Sequence, residues 1–359
     1  MRILLLAGEE SGVMYAERIA EAIREKRPAV EIRGYGDYGF RTGDLAVMGL
    51  GQVLRRIFYF IGVKRTMERA IDEWRPDVVC TVDYPGLNLK LAAFAKRRGI
   101  RTVHVVCPQV WAWKKGRIPK IEAALDKLCC FFPFEPELFK PGFAEFVGHP
   151  LVDEMREEGR GKREEGQKIL AILPGSRLGE IEKHLPTLLE AVETLQREIP
   201  DLKIVIPAAN DRAYAKISSL IPHPSSLCVT HGGARAALRD ADAAVVASGT
   251  ATLEAALAGC PTVLVYKVGW LFAFLARRFI KGIRHIGLAN IIAEKAGKQC
   301  PMPELLQEDF TAEKVLAVLC PLLEHEEANA VARALLNETM KLLRSDGGAI
   351  ARIAARVLA

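Results

Sequence analysis

Three strand-to-turn junctions in this chain carry residue types that can do chemistry. Val78-Val-Cys-Thr-Val82 delivers Asp83, followed by Tyr84-Pro85-Gly86-Leu87-Asn88. A carboxylate at a strand's end sits where α/β proteins place reacting groups and can act as a general base, although Asp before a turn also serves as an Asx-type cap. Ile169-Leu-Ala-Ile-Leu173 runs into Pro174-Gly175-Ser176-Arg177-Leu178-Gly179-Glu180. A Gly-rich turn there offers backbone N–H groups to a phosphate and Arg177 can add a bidentate contact; the alternative is a plain connection with a surface arginine. Ala243-Ala-Val-Val-Ala247 leads into Ser248-Gly249-Thr250-Ala251-Thr252-Leu253-Glu254. Its hydroxyls can cap a helix or hold phosphate, with Glu254 about one turn inside, where it can accept ribose hydroxyls.

Other stretches are suggestive. Gly8-Glu9-Glu10-Ser11-Gly12 follows the first apolar run but lacks the full Gly-x-Gly-x-x-Gly, and its carboxylates would repel a pyrophosphate, which disfavours an NAD enzyme. Trp111 and Trp113 stand beside Lys114-Lys115-Gly116-Arg117, in a stretch from Lys90 to Lys127 with ten basic residues and only Glu122 and Asp126 acidic. That suits stacking on a sugar or base, or else a core Trp and a solvated basic face. Phe132-Pro-Phe-Glu-Pro136 and Phe146-Val-Gly-His-Pro150 read as interdomain loops, and His149 as a hydrogen-bonded structural residue, a ligand or a catalytic residue. In Gly51–Arg65 a helix would put Val53, Ile57, Phe60 and Ile61 on one face. Arg55, Arg56, Lys64 and Arg65 flank it with no acid in the segment, as an anionic membrane surface requires; a core helix is the other reading. Lys267–Arg284 repeats the pattern.

Elements must hold these residues. Short β-branched runs at Arg2–Ala7, Val78–Val82, Thr102–Val106, Ile169–Leu173, Lys203–Ile206, Ala243–Ala247 and Thr262–Val265 alternate with longer amphipathic stretches, which predicts parallel sheets covered by helices. The charged, Gly-punctuated segment Arg156–Lys168 reads as a linker between two α/β domains. The expected organisation is an N-terminal domain over 1–158, a second over 168–320 and C-terminal helices over 321–359, with helical spacing in Glu313–Leu323 and Ala330–Leu343.

A chain of 359 residues with 26% charged residues and 29 Gly fits a globular protein and excludes collagen, coiled coil and disorder. A net charge of +6 favours anionic partners. Charges break every apolar run before the ~18 to 20 residues a spanning helix needs, and Gly8-Glu9-Glu10 ends the first run too early for a signal peptide. The chain therefore reads as cytoplasmic, with any membrane contact peripheral. Its eight scattered Cys form no Cys-x-x-Cys and read as buried free thiols.

Taken in order, the sequence resembles the lipid-A-disaccharide synthase family of GT-B glycosyltransferases. The stretches that carry this are Gly8-Glu-Glu-Ser-Gly12, Ala46-Val-Met-Gly-Leu50, Val82-Asp-Tyr-Pro85 with Asn88, Val110-Trp-Ala-Trp113, Phe132-Pro-Phe-Glu135, Phe146-Val-Gly-His149, Leu173-Pro-Gly-Ser-Arg177 with Glu180, Ala247–Glu254, and Asn290. The sequence departs from the family's usual residues in four places: Val13 for Asp, Gly86 for an acid, Cys107-Pro-Gln109 for Ser-Pro-Ser, and Ala289 for Pro.

The resemblance implies two Rossmann-like domains facing a cleft, with C-terminal helices that can cross back to the first. It implies inverting transfer from UDP-2,3-diacylglucosamine to 2,3-diacylglucosamine 1-phosphate (lipid X), giving the β-1,6 lipid A disaccharide 1-phosphate and UDP, at the inner face of the inner membrane, with no metal or other cofactor. Asp83 then matches the general base and Arg177 the arginine that steadies the leaving diphosphate. Gly175, Ser176, Ser248, Gly249, Thr250, Glu254 and Asn290 fall in the donor site. Glu9, Ser11, Gly12, Trp111 and Trp113 fall on the acceptor side, and Ile57, Phe58, Phe60 and Ile61 are the expected membrane contact. No nucleic acid is implied, and a homodimer is allowed. The rival readings are another UDP-sugar GT-B enzyme, such as an epimerase or a peptidoglycan-precursor transferase, and a non-catalytic anion or sugar binder.

Overall fold

The structure is a computed structural model describing residues 1–8, 10–40, 53–112, 115–155, 167–221, 227–269 and 284–359, with backbone alone at Glu10 and 53–58. The chain divides into two units, Met1–Asp153 with Leu343–Ala359, and Glu154–Leu342.

The first unit runs β1 (Arg2–Ala7), α1 (Glu10–Lys26), β2 (Glu31–Arg33), α2 (Val53–Trp74), β3 (Val78–Val82), α3 (Pro85–Lys96), β4 (Arg101–Val105), α4 (Ile118–Ala124), β5 (Lys127–Cys130), β6 (Ala144–Phe146) and α5 (Pro150–Glu154). Its strands form one parallel sheet in the order β2-β1-β3-β4-β5-β6. Strands covered by helices on both faces must be apolar on both, which is why β1 and β3 read as unbroken runs. Ile3 and Leu5 face a core with Ile19 and Ile23 of α1, while Leu4 and Leu6 face one with Met67 and Ile71 of α2 and Leu91 of α3.

The second unit runs β7 (Ile169–Leu173), α6 (Leu178–Glu198), β8 (Lys203–Ala208), α7 (Asp211–Leu220), β9 (Cys228–His231), α8 (Ala234–Asp240), β10 (Ala243–Ala247), α9 (Thr250–Leu257), β11 (Thr262–Tyr266), α10 (Leu288–Lys295), β12 (Glu304–Leu306), α11 (Ala312–Glu324) and α12 (Glu326–Lys341). Its sheet is also parallel, in the order β12-β11-β10-β7-β8-β9. Asn210 caps α7 by accepting from Ala213 N at 3.0 Å, and Thr311 caps α11 by accepting from Lys314 N at 3.3 Å.

The last helix, α13 (Ala349–Leu358), returns to the first unit, where Ile353, Ala354 and Val357 enter the α1 core. Asp153 accepts from Ala349 N at 2.8 Å, placing a carboxylate on the positive end of α13. Glu145 on β6 takes Arg352 at 3.0 Å and Arg356 at 2.7 Å. Burial alone would raise the Glu145 carboxyl, but these arginines and Lys127 hold it down at about 2.

All seven expected strands are present, within two residues at either end. The five short strands at 31–33, 127–130, 144–146, 228–231 and 304–306 carry no comparable apolar run. Two expectations are corrected. The loops at 132–136 and 146–150 lie inside the first unit rather than between domains, because the first joins β5 to β6 and the second joins β6 to α5. Of the cysteines, Cys228 on the edge strand β9 is exposed, and Cys300 in the loop before β12 and Cys320 on the surface of α11 are half-buried; the other five are buried. Most of the expected linker (156–166) and of the second apolar-basic segment (270–283) lies outside the described residues. Among those described, no helix is long and apolar enough to cross a membrane.

Each sheet reverses its strand order once, between β1 and β3 in the first unit and between β7 and β10 in the second. In open α/β sheets ligands bind beyond the carboxyl ends of the strands at such reversals. Asp83 follows β3, Arg177 lies just beyond β7, and Ser248 follows β10.

Candidate functional site

Asp83 and Tyr84 both adopt left-handed backbone, at φ 50° and 49°, and Val106 at the end of β4 does so at 74°. Each such residue costs about 1–3 kcal/mol, and a β-branched residue there is a genuine outlier, so the surroundings must impose the geometry. Asp83 N–H donates to Val105 O at 2.9 Å. The fully buried Asn88 amide donates to the carbonyls of Asp83 (2.8 Å), Val82 (3.1 Å) and Leu6 (3.3 Å), and its Oδ1 accepts from Tyr35 Oη at 2.8 Å. Gly8 is required opposite, since a Cβ there would lie 2.5 Å from Tyr84 Cγ. A Cβ on Gly12 in α1 would lie 3.8 Å from Asp83 Cβ, so the first turn of α1 runs alongside the carboxylate.

Asp83 opens onto a cavity of about 250 Å³ shared with Gln109, Arg117, Phe132, Cys107 and Glu135. Burial pushes the Asp83 carboxyl above the usual carboxylate range, partly offset by the Tyr84 backbone N–H. That makes it a stronger base than a solvated aspartate. Glu135 is buried and pushed up to about 8 by desolvation, against hydrogen bonds from Phe132 N (3.1 Å) and Trp111 Nε1 (3.2 Å). Phe132 and Phe134 stack at 5.8 Å, and Trp111 meets Phe134 edge-on at 5.6 Å. The cavity thus combines a raised carboxylate, an arginine and aromatic walls, an arrangement that can take a proton from a hydroxyl held there.

In the second unit Gly175 has φ 124°, and a Cβ there would lie 2.7 Å from Glu180 Oε2. The missing side chain lets Glu180 fold back to accept from Arg177 N at 3.4 Å and Arg177 Nη1 at 3.0 Å, capping α6. Arg177 remains 73% exposed, and Ser176 is exposed beside it. His184, fully buried, sits beneath this turn: its Nδ1 lies 2.7 Å from Pro174 O while Lys267 N–H donates to Nε2 at 3.0 Å. The accepting Nε2 requires the proton on Nδ1. Burial holds the ring's pKa below normal, so this neutral tautomer ties the turn after β7 to the one after β11.

Across the reversal, α9 starts with exposed Gly249 and Thr250 and half-buried Ser248, whose N–H donates to Val265 O at 3.2 Å. Thr252 N–H closes back on Gly249 O at 3.2 Å, and the N–H groups ahead of it at the start of a helix are of the kind that can hold a phosphate. Glu254 Oε1 accepts from Arg235 Nε at 3.0 Å, and Arg235 Nη1 also holds Glu154 at 2.7 Å.

The structure therefore brings Ser11, Gly12 and Trp111 into the Asp83 unit, and Gly175, Ser176, Ser248, Gly249, Thr250 and Glu254 to the reversal beside Arg177. Asn290 is turned inward. Its amide donates to Met302 O (2.7 Å) and Glu304 Oε1 (2.8 Å) and accepts from Met302 N (3.0 Å). Glu9, Trp113 and the side chains of Ile57 and Phe58 lie outside the described residues. Phe60 packs its ring 6.3 Å from Tyr84, whereas Ile61 is 40% exposed. His149 is structural, buried and neutral, accepting from Leu151 N at 3.2 Å. Sequence reasoning did not single out His184, Glu135 or the Tyr35–Asn88 clamp. Glu135 and Asn88 had a signal, as the acid ending Phe132-Pro-Phe-Glu135 and as the residue named with Val82-Asp-Tyr-Pro85; His184 and Tyr35 had none.

The family model described as lipid-A-disaccharide synthetase matches residues 3–353. A relative named lipid-A-disaccharide synthase from Burkholderia pseudomallei (strain K96243) is 36% identical over 382 residues, covering 100% of this chain and 97% of its own. One of the same name from Syntrophus aciditrophicus (strain SB) is 34% identical over 342 residues, covering 89% of this chain and 88% of its own. Among solved structures, the glycotransferase of kitacinnamycin matches with a TM-score of 0.67 at 16% identity, covering 99% of this chain and 97% of its own. UDP-GlcNAc 2-epimerase from Neisseria meningitidis bound to UDP-GlcNAc matches with 0.61 at 12%, covering 100% and 99%. Those two structures speak for the fold, two Rossmann-like units of the GT-B kind. The family match and relatives more than 30% identical over most of the chain speak for the chemistry: the chain belongs to the lipid-A-disaccharide synthase family, glycosyltransferases that build the lipid A disaccharide from a UDP-sugar donor.

Proposed function

We propose that Asp83 is the general base and Arg177 the diphosphate-binding group of a transfer from UDP-2,3-diacylglucosamine to lipid X. The Asp83 carboxylate takes the proton of the acceptor's 6-hydroxyl as that oxygen attacks the donor's anomeric carbon. The bond from that carbon to the diphosphate breaks on the opposite face, and UDP leaves with its charge met by Arg177 and the amides at the start of α9. Glu254, held by Arg235, accepts the ribose hydroxyls, and Asn290 holds the loop behind. Arg117 faces the acceptor's phosphate from the cavity wall.

The observation that carries this reading is the Asp83 turn, strained, clamped by Asn88 and opening with a raised carboxyl onto a cavity. Strain of this kind clusters at working sites. The test is to incubate the protein with both acylated sugars and measure UDP and disaccharide. Wild type forms both, and Asp83→Asn loses about 10²- to 10⁴-fold in turnover. Near-normal turnover in a folded Asp83→Asn variant eliminates the role.

Location follows from the substrates, whose acyl chains leave a bilayer at a cost of about 0.8 kcal/mol per CH₂. The enzyme works peripherally at the inner face of the inner membrane, with the segment around Ile61 and its flanking Lys64 and Arg65 on the anionic surface. A homodimer is compatible with this reading and is read by light scattering.

A further inference from the structure

The cavity wall contains a cluster that glycosyl transfer does not use. Cys107 lies in the turn after β4, Cys130 ends β5, and Glu135 lies in the loop that follows. Because β4 and β5 pair side by side, their ends converge, and one donor atom from each residue lies within 4.8 Å of the others. All three are buried, at 3%, 0% and 1% exposure. Zinc holds thiolate at about 2.3 Å and carboxylate oxygen at about 2.0–2.2 Å, so tetrahedral ligands sit roughly 3.5 to 4 Å apart. A contraction of about an ångström closes the set.

The carboxylate is already oriented for this. Phe132 N–H and Trp111 Nε1–H each hold one Glu135 oxygen, as outer-shell donors hold the ligands of a metal site. Cys107 and Glu135 also line the Asp83 cavity, which leaves a fourth position open to a water or an exchangeable ligand. Two thiolates with one carboxylate select zinc and its softer congeners over magnesium or calcium. Cys107 is one of the departures from the usual Ser-Pro-Ser turn, so the second thiol belongs to this chain rather than to the family pattern.

We propose that Cys107, Cys130 and Glu135 form a binding site for a soft divalent cation of the zinc class in the wall of the acceptor cavity. The ion takes no step of the sugar transfer.

The test uses the full chain, reduced, stripped with a chelator and titrated with Zn²⁺, and with Co²⁺ as a chromophore. One ion should bind per chain, with thiolate-to-cobalt charge-transfer absorption. Cys107→Ser and Glu135→Gln should each weaken binding by about 10-fold or more. Cys300→Ser should leave it unchanged, although Cys300 Sγ lies 3.3 Å from His285 Nε2 and is the competing thiol. X-ray absorption of the zinc-loaded wild type needs no variant to fold and should show two sulfur ligands with oxygen. The absence of tight binding, or a shell of one sulfur with imidazole, overturns the proposal.

Discussion

The two strand-order reversals are built alike and finished differently. At β3 the chain is forced into left-handed backbone, clamped by a buried amide and sunk into a cavity, so its carboxyl is raised. At β7 the turn is relieved by Gly175, Arg177 is 73% exposed, and its guanidinium pairs with Glu180. A base gains strength from desolvation and needs one fixed position. A phosphate cradle needs donors that are exposed and free to close on their ligand. The same topology can carry both proposed roles because the sheet sets where the turn is, while local residues set how wet and how rigid it is.

Separating these roles gives the largest expected effect. Asp83→Asn should remove turnover by the factor given above and leave UDP affinity within about twofold, since basicity is lost and geometry kept. It should also be at least as stable as wild type near pH 7. A folded-state pKa above the unfolded one means stability is full below the unfolded value and is lost as pH rises through the folded one, a loss that Asn avoids. A marked drop in melting temperature would show that the carboxylate is structural. Asn88→Ala should lower kcat by about 10²-fold through misplacement of Asp83, with UDP affinity preserved; equal losses in both would merge the two sites.

Arg177→Ala should reverse that pattern, weakening UDP by about 10- to 100-fold, as a charge-assisted contact of about 1.5–3 kcal/mol implies, with turnover also reduced. Unchanged UDP affinity, measured by calorimetry, would place Arg177 outside the donor site. In the pH–rate profile the acid limb should lie above that of an ordinary aspartate, because activity needs the carboxylate and burial delays its formation as pH rises. A limb at or below the ordinary range would remove the desolvation argument. The smallest effect belongs to Ile61→Ser, which should leave stability within about 0.5 kcal/mol and reduce vesicle binding a few-fold. Phe60→Ser is a poorer probe, since that ring packs against Tyr84.

Much of this was legible in the residues. Strands buried on both faces must be apolar throughout, so β1, β3, β7 and β10 stood out, and the turns that follow them carried Asp83, Arg177 and Ser248. The short strands β2, β5, β6, β9 and β12 carried too few apolar residues to be read. Their place comes from hydrogen bonding to a neighbour already in position. The apolar-basic face was legible as a pattern but not in its division, since whether Phe60 meets a lipid or a tyrosine depends on what packs beside it.

By itself the sequence determined the alternation of elements and which side chains end the central strands, because periodicity and burial act locally along the chain. Tertiary structure alone decided which ends share a reversal and that Asn88 and Tyr35 clamp the Asp83 turn. It also decided that His184 joins two turns, which of the C-terminal helices returns to the first unit, and that Cys107, Cys130 and Glu135 converge. Those contacts link residues far apart in sequence or set by loop geometry, and no spacing rule encodes a hydrogen bond between groups brought together only when the sheets form.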